Sequence, residues 1–166
     1  LEYGSAVWSP YLRCDIDRLE TVQRLAARFI MNDYKTREPG CVGKMLTTLN
    51  LPTLEERRHV NRLTTLYKIV NGLVPAMPAA SFLTPANRER RRVKPTAYRD
   101  CETKNIIQRQ VQNNDQCFKV QHSNTEQYRN SFFIQTVIDW NSLDSTTVNL
   151  PTPGAFTAAV RRQRAV

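Results

Sequence analysis

Residues 53–75 read TLEERRHVNRLTTLYKIVNGLVP and carry the strongest helix signal in the chain. Thr53 and Glu56 form a capping box, in which the Thr53 hydroxyl accepts a hydrogen bond from the Glu56 amide and the Glu56 carboxylate reaches back. Gly72 is typical of the residue that ends a helix. The pattern therefore predicts a helix over residues 54–71.

This predicted helix has one apolar face and one polar, basic face. Its apolar residues recur at the helical period, and they are Val60, Leu63, Leu66, Tyr67, Val70 and Leu73. The other face carries Arg57, Arg58, Asn61, Thr65 and Lys68. We expect the first set to be buried and the second to lie on the outside.

An amphipathic helix is also predicted over residues 15–32, with Asp15 as its N-cap. The residues expected on its buried face are Ile16, Leu19, Val22, Ala26, Phe29 and Ile30. Arg24 and Arg28 lie one turn apart on the opposite face. They fit a solvated surface or a ridge that contacts phosphates, and the sequence alone leaves both interpretations open.

The C-terminal part of the chain predicts further helices and little strand. A strongly apolar segment over residues 131–143 indicates a buried helix that contains Trp140, with Asp139 and Asn141 turned outward. Thr152 and Pro153 are typical of a helix start, with Phe156, Ala159 and Val160 packing inward. Residues 117–121 alternate in polarity and predict a strand.

These elements predict a mainly α fold, with a helical bundle-like body and a small C-terminal lobe containing at most a few short strands. We expect a helical region over residues 1–75 and a basic, polar linker or excursion over residues 76–115. The C-terminal lobe occupies residues 116–166. A short helix is expected over residues 44–49, and Ile106 with its neighbours could anchor a short strand or helix.

The densest basic run spans residues 87–94. Its five positively charged residues are Arg88, Arg90, Arg91, Arg92 and Lys94. Such a run is usually a solvated loop. The alternative interpretation is direct contact with phosphates.

The overall charge favours an acidic partner. The chain has 24 Lys and Arg against 15 Asp and Glu, with a net charge of +9. This balance is typical of proteins that bind nucleic acid. No apolar run reaches the roughly 18 residues of a membrane span. The best amphipathic segments look like core helices, so we expect no membrane partner.

The start and the cysteines suggest an intracellular protein. No signal peptide is visible, so we expect a nuclear or cytoplasmic location. The chain begins with Leu1 inside an apolar phrase, so we expect helix-forming sequence before it. The four cysteines are expected to be free buried thiols, and their spacing forms no metal-binding motif; they are Cys14, Cys41, Cys101 and Cys117.

Motifs of a complete active site are missing from the sequence. It contains no glycine-rich phosphate loop, no adjacent pair of aspartates and no Gly-x-Ser-x-Gly elbow. His59 and His122 are far apart and have no nucleophile motif beside them. We therefore assign no catalytic residue, metal ligand or cofactor to the chain.

Several segments, in order along nearly the whole chain, resemble the region after the polymerase palm in reverse transcriptases of non-LTR (LINE-type) retrotransposons. The segments are Leu1–Pro10, Asp17–Phe29, Leu51–Leu73, Ser123–Phe133 and Asp139–Leu143, followed by Pro151, Phe156 and Ala159. The chain departs from the family at Ile134, where proline is usual, and at Asp144, where proline is frequent.

The resemblance implies a thumb and post-thumb fragment of an RNA-directed DNA polymerase. The catalytic aspartates and their Mg²⁺ would belong to the upstream polymerase domain, which would be a partner of this region. The chain itself would help to hold RNA and DNA, as a template–primer duplex, without reading its sequence. The alternatives are a residual protein-interaction or structural module and a functionless retroelement relic.

We predict ten residues that contact nucleic acid. They are Arg24, Arg28, Arg57, Arg58, Lys68, Arg88, Arg90, Arg91, Arg92 and Lys94.

Overall fold

The structure is a computed structural model that describes residues 2–86 and 114–164, together with two short strands at residues 98–99 and 106–107. The fold is mainly α, as predicted. The helices are α1 (Arg13–Met31), α2 (Cys41–Thr48), α3 (Leu54–Val70), α4 (Ala79–Phe82), α5 (Glu126–Arg129), α6 (Phe132–Asn141), α7 (Ser145–Val148) and α8 (Pro153–Arg164). Strands β1 (Tyr98–Arg99) and β2 (Ile106–Ile107) pair antiparallel.

The chain divides into two compact units, Leu1–Leu66 and Tyr67–Val166. We call them unit 1 and unit 2. The division falls within α3, so that helix contributes residues to both units. The three-part organisation expected from composition remains a prediction.

In unit 1, α1 begins two residues earlier than predicted. Asp15 lies in its first turn, and Leu12 stands at the N-cap without a side-chain hydrogen bond. The prediction of Asp15 as the cap was therefore wrong. Asn32 ends the helix in a left-handed conformation with φ 51°, and its amide donates to the carbonyls of Arg28 and Phe29. The predicted C-terminal end is confirmed.

The face that α1 buries is not the predicted one. Its buried residues are Glu20, Gln23 and Ala27. The predicted apolar face is largely exposed, with 74% of Phe29 and 47% of Val22 accessible to solvent. The polar residues that α1 buries instead form hydrogen bonds with the backbone at the start of α3. The Gln23 amide nitrogen donates to the Pro52 carbonyl at 2.9 Å, and a Glu20 carboxylate oxygen accepts from the Glu55 amide at 3.0 Å.

Helix α3 follows its sequence signals at both ends. The Glu56 amide donates to the Thr53 hydroxyl at 3.1 Å, as the capping box predicted. Because Glu20 accepts from the neighbouring Glu55 amide, two of the free amides of the first turn have acceptors. Gly72 follows the helix with a φ of +68°, in the region that favours glycine.

The two faces of α3 match the prediction only in part. Val60, Leu63, Leu66 and Tyr67 are buried, each at 2% exposure or less. Leu73, however, lies beyond the helix and is 55% exposed. Arg58 was expected outside and is buried.

Unit 2 is built around three aromatic side chains. Tyr67 stacks on Phe156 with ring centroids 4.6 Å apart, and Trp140 lies 5.7 Å from the same ring. The Trp140 indole nitrogen donates to the Gln116 carbonyl at 2.8 Å. Helices α6 and α8 form where predicted, and Thr152 caps α8 by accepting from the Ala155 amide.

The strand predicted over residues 117–121 is reduced to a single antiparallel bridge between Pro85 and Phe118. The reason is Asn141, whose side chain accepts from the Phe118 amide at 2.9 Å and donates to the Phe118 carbonyl at 2.8 Å. This side chain takes the place of a neighbouring strand. Asn141 was expected to point outward, and that expectation was wrong.

The cysteines differ from the expected buried thiols. Cys14 is exposed, whereas Cys41 and Cys117 are partly buried. Cys101 lies outside the described residues. Cys14 and Cys41 form no disulfide bond with any described residue.

Candidate nucleic-acid interface

The structure places the ten predicted contact residues in three groups. Arg24 and Lys68 are exposed. Arg28, Arg57 and Arg58 bind other parts of unit 1. The remaining five lie outside the described residues, and they are Arg88, Arg90, Arg91, Arg92 and Lys94.

Arg28 closes the loop that follows α1. Its guanidinium donates to the carbonyl oxygens of Asp33 at 3.1 Å and Thr36 at 3.0 Å, and it lies 3.3 Å from the Cys41 sulfur. A cation at the C-terminal end of a helix also interacts favourably with the helix dipole. Most of the donor capacity of Arg28 is therefore directed at its own chain.

The same loop lowers the pKa of the Asp33 carboxyl. The main causes are hydrogen bonds from the Thr36 side chain and backbone, with smaller effects from the Lys35 amide and the Arg28 charge. The Asp33 carboxylate accepts from the amides of Lys35 and Thr36 at 3.2 and 3.0 Å. These bonds form an Asx-turn that fixes the loop.

Arg57 and Arg58 are covered by the segment that precedes α1. Arg57 forms a salt bridge with Glu2 and a hydrogen bond with the Gln23 side-chain oxygen. The Arg58 guanidinium lies over the Trp8 ring, 4.1 Å from its centroid, and donates to the Trp8 carbonyl at 3.4 Å. We call residues 2–8 the strap.

Burial and charge act in opposite directions on Arg58, which is only 3% exposed. Burial lowers the pKa of its guanidinium, whereas the carboxylates of Glu2 and Glu20 raise it. A buried guanidinium needs such partners, because an uncompensated buried charge is strongly destabilising. The strap supplies one of the two carboxylates and the aromatic ring.

The strap has its own local structure. The Trp8 indole nitrogen donates to the Tyr3 carbonyl at 3.0 Å. Gly4 has a φ of +66°, and a Cβ at this position would meet the Trp8 ring at 3.4 to 3.5 Å. Glycine therefore permits the left-handed turn, whereas the spacing to the indole is an ordinary van der Waals distance.

Exposed cations outside the ten predicted contact residues also lie in unit 1. Lys35, Arg37 and Lys44 are exposed and form no salt bridge with any described residue. They follow α1 or lie within α2, away from the basic helix faces that the periodicity emphasised. The exposure of Lys35 and Arg37 depends on the loop geometry, for which the sequence has no simple signal.

Arg13 and Arg18 show the opposite situation. Arg13 pairs with Asp17 at 3.1 Å and with Glu55 at 3.3 Å, and Arg18 pairs with Asp15 at 3.2 Å. Their side chains are still 69% and 81% exposed. Exposure alone therefore does not separate cations with a carboxylate partner from the others on this surface.

Unit 2 has an open polar hollow beside α5. It is lined by Ser123, Asn124, Thr125, Glu126, Arg129 and Asn130. The lining contains one cation and one carboxylate, so its formal charge is balanced. Nothing in this hollow favours an anion over a cation.

Two further observations concern the described part of the chain. No three His, Cys, Asp or Glu side chains there are grouped so that they could hold a metal ion. No helix among these residues has the length and apolar character needed to cross a bilayer.

Comparisons of the chain with protein-family models, curated proteins and solved structures find no match.

Proposed function

We propose that this chain is a non-catalytic accessory region of an RNA-directed DNA polymerase of the non-LTR retrotransposon type, and that it holds RNA or DNA through phosphates. The observation that carries the proposal is the distribution of charge. Residues 87–113 contain eight of the 24 basic residues but only three of the 15 acidic residues. A local excess of this kind attracts a polyanion.

Exposed cations in the described residues support the same proposal. Arg24 on α1 and Lys68 on α3 are exposed and form no salt bridge with another described residue. Such side chains can neutralise phosphates without reading bases. The partners would be RNA and DNA, together with the upstream polymerase domain that the resemblance implies.

The test is the salt dependence of binding. Fluorescence anisotropy with a labelled RNA–DNA hybrid, repeated at several salt concentrations, should show weak binding with a steep slope. Each phosphate contact contributes about 0.7–0.9 to the slope of log K against log salt. Replacing Arg90, Arg91 and Arg92 by alanine should lower the slope by roughly two to three. A flat salt response in the unmutated chain would refute the proposal.

A matched control separates specific contacts from a general loss of charge. R91A/R92A and R13A/R18A each remove two positive charges. Because Arg13 and Arg18 already pair with carboxylates, their removal should change the slope much less. Equal changes in the two double variants would mean that residues 91 and 92 make no special contact.

We also expect no polymerase activity from the chain alone, because it lacks the adjacent aspartates that would hold two Mg²⁺ ions. Primer extension with the purified chain measures this directly. Incorporation of dNTPs well above a mock preparation would contradict the expectation.

The second candidate function is a protein-interaction module, and one observation favours it. The exposed face of α1 carries Val22, Leu25, Phe29 and Ile30, each at least 47% accessible. Contiguous exposed apolar residues often mark an interface. This candidate predicts little nucleic-acid binding at physiological salt and no change of slope in the triple arginine variant.

A further inference from the structure

The strap holds two adjacent arginines with two different chemical groups. The Glu2 carboxylate binds the Arg57 guanidinium. The Trp8 indole lies 4.1 Å from the Arg58 guanidinium carbon, measured from the ring centroid. One arginine is therefore bound by an anion and its neighbour by an aromatic ring.

These two groups offer an arginine the same kinds of contact as the phosphate and the base of a nucleotide. A carboxylate and a phosphate oxygen are both acceptors for a guanidinium, and Arg is the residue best suited to either. An indole ring and an unpaired base both offer a π-face to the same cation. The strap thus presents to Arg57 and Arg58 what a single-stranded nucleic acid would present.

The arginine pair also retains donor capacity that the strap leaves unused. The Arg57 Nε–H is buried and has no hydrogen-bond acceptor among the described residues. Leaving such a donor unsatisfied costs free energy. A phosphate, with more acceptor oxygens than a single carboxylate, could satisfy it.

The strap is held in a way that permits exchange. The Glu2–Arg57 ion pair is partly solvated, with side chains 37% and 26% exposed. Trp8 is 46% exposed, so it covers Arg58 from the outer side. A partly exposed ion pair and a single ring stack are each individually weak contacts, so a competing ligand can replace them.

We propose that Arg57 and Arg58 form a binding site for one phosphate and one adjacent unpaired base, and that the strap occupies this site until single-stranded nucleic acid displaces it. The inference rests on the proposed nucleic-acid function and deepens it. The site consists of described residues of unit 1. It selects single strands, because a base paired in a duplex cannot stack on Arg58.

The test uses the full chain and two strap variants. E2Q removes the ion pair, and W8L removes the ring while keeping an apolar side chain. Each should bind a labelled thymidine oligonucleotide about three- to tenfold more tightly than the unmutated chain, since roughly 1.4 kcal/mol corresponds to tenfold. Binding to a blunt RNA–DNA hybrid should change by less than about twofold on the same scale.

The control variant is E38Q. It removes one exposed carboxylate from the loop before α2 that forms no salt bridge with another described residue, and so reports the effect of net charge. If E2Q and W8L bind the oligonucleotide no more tightly than E38Q does, the inference is wrong and the proposed function stands. If neither the unmutated chain nor any variant binds nucleic acid, the proposed function fails as well, and the two failures are distinguishable.

A second measurement needs no variant and so does not depend on how E2Q or W8L folds. Trp140 is fully buried, so acrylamide quenching of tryptophan fluorescence reports mainly on Trp8. Adding the oligonucleotide should raise the quenching constant, because the indole leaves Arg58 for solvent. A lower quenching constant would mean that the nucleic acid covers Trp8 in place, and this result would overturn the proposal.

Discussion

Units 1 and 2 both bury aliphatic side chains, but among the described residues the buried charged groups belong to unit 1 and the buried aromatic groups to unit 2. Unit 2 buries aromatic and aliphatic groups, with Trp140 and Phe156 at 0% exposure. Unit 1 buries Glu20, Gln23 and Arg58 at 7%, 5% and 3% exposure, and leaves apolar residues of α1 in solvent. The difference shows that the packing of a helix follows its hydrogen-bonding requirements as well as its apolar periodicity.

The contrast has a physical origin in the start of α3. The first amides of a helix lack intrahelical acceptors. In unit 1, Glu20 supplies one such acceptor and Gln23 donates to the carbonyl of Pro52 just before the helix. The face of α1 that carries these groups therefore turns towards α3, although it is the more polar face.

The largest expected effect tests the apolar core of unit 2. Trp140→Ala should lower the free energy of unfolding by about 3–5 kcal/mol, as loss of a buried aromatic usually does. It also removes the donor to the Gln116 carbonyl. Urea denaturation followed by circular dichroism measures the change. Ile138→Ala is the control on the same helix, because Ile138 is 45% exposed and should cost much less. An unchanged midpoint for Trp140→Ala would refute the assigned core.

The second effect tests the polar contact in unit 1. Glu20→Ala should lower the free energy of unfolding by about 1–2 kcal/mol, the range for losing a capping acceptor. Glu20→Gln retains an oxygen that can accept from the Glu55 amide, so it should cost less. Thermal melts of both variants give the comparison. If both substitutions cost the same, the carboxylate charge, and not its acceptor oxygen, would hold α1 against α3.

The third effect should be a gain in stability. Thr136 is fully buried in α6, and its hydroxyl has no hydrogen-bond partner among the described residues. Thr136→Val replaces this hydroxyl by a methyl group and should raise the free energy of unfolding by about 1 kcal/mol. Thr157→Val is the matched control on α8, since the Thr157 hydroxyl donates to the Pro153 carbonyl at 2.7 Å. A loss of stability in Thr136→Val would show that the hydroxyl has a partner.

The smallest effect concerns pH and Asp144. Hydrogen bonds from the side chains of Thr146, Thr147 and Gln163 lower the pKa of the Asp144 carboxyl to about 2. A lowered pKa in the folded state stabilises the fold above the ordinary carboxyl pKa of about 3.9, and this contribution is lost as the pH falls towards 2. The contribution should be below about 1 kcal/mol because the carboxylate is partly solvated.

Asp144→Asn is the variant that checks this pH dependence. It should be less stable than the unmutated chain at pH 7, and the difference should shrink between pH 4 and pH 2. Chemical denaturation at both pH values measures it. Glu126→Gln, an exposed carboxylate on α5, is the control and should differ from the unmutated chain by a similar amount at both. A constant difference for Asp144→Asn would mean that its hydrogen bonds do not depend on the charge.

The fold of unit 2 could be predicted well because its core residues follow the helical period. Trp140, Phe156 and Val160 were all expected to be buried, and all are. The cap at Thr152 was also predicted from the residue type. The strand over residues 117–121 failed because an alternating pattern cannot show that Asn141, more than twenty residues away, bonds the backbone of Phe118.

The candidate site could be predicted less well, because charge and burial are decided by contacts distant in sequence. Arg58 lies 50 residues from Trp8, and no spacing rule connects them. The prediction of an outer face failed there since a neighbouring segment covers the arginine. Arg24 and Lys68 were predicted correctly as exposed, and neither forms a salt bridge with another described residue.

The exposed face of α1 has a consequence for how folding of this chain is measured. Dyes such as ANS bind exposed apolar surface, and their fluorescence is often taken as a sign of a molten globule. A native chain with Leu25 and Phe29 at 61% and 74% exposure already offers such a surface. Dye fluorescence should therefore be present before unfolding begins. Loss of the near-ultraviolet circular dichroism of the buried Trp140 would be the safer sign that tertiary packing has been lost.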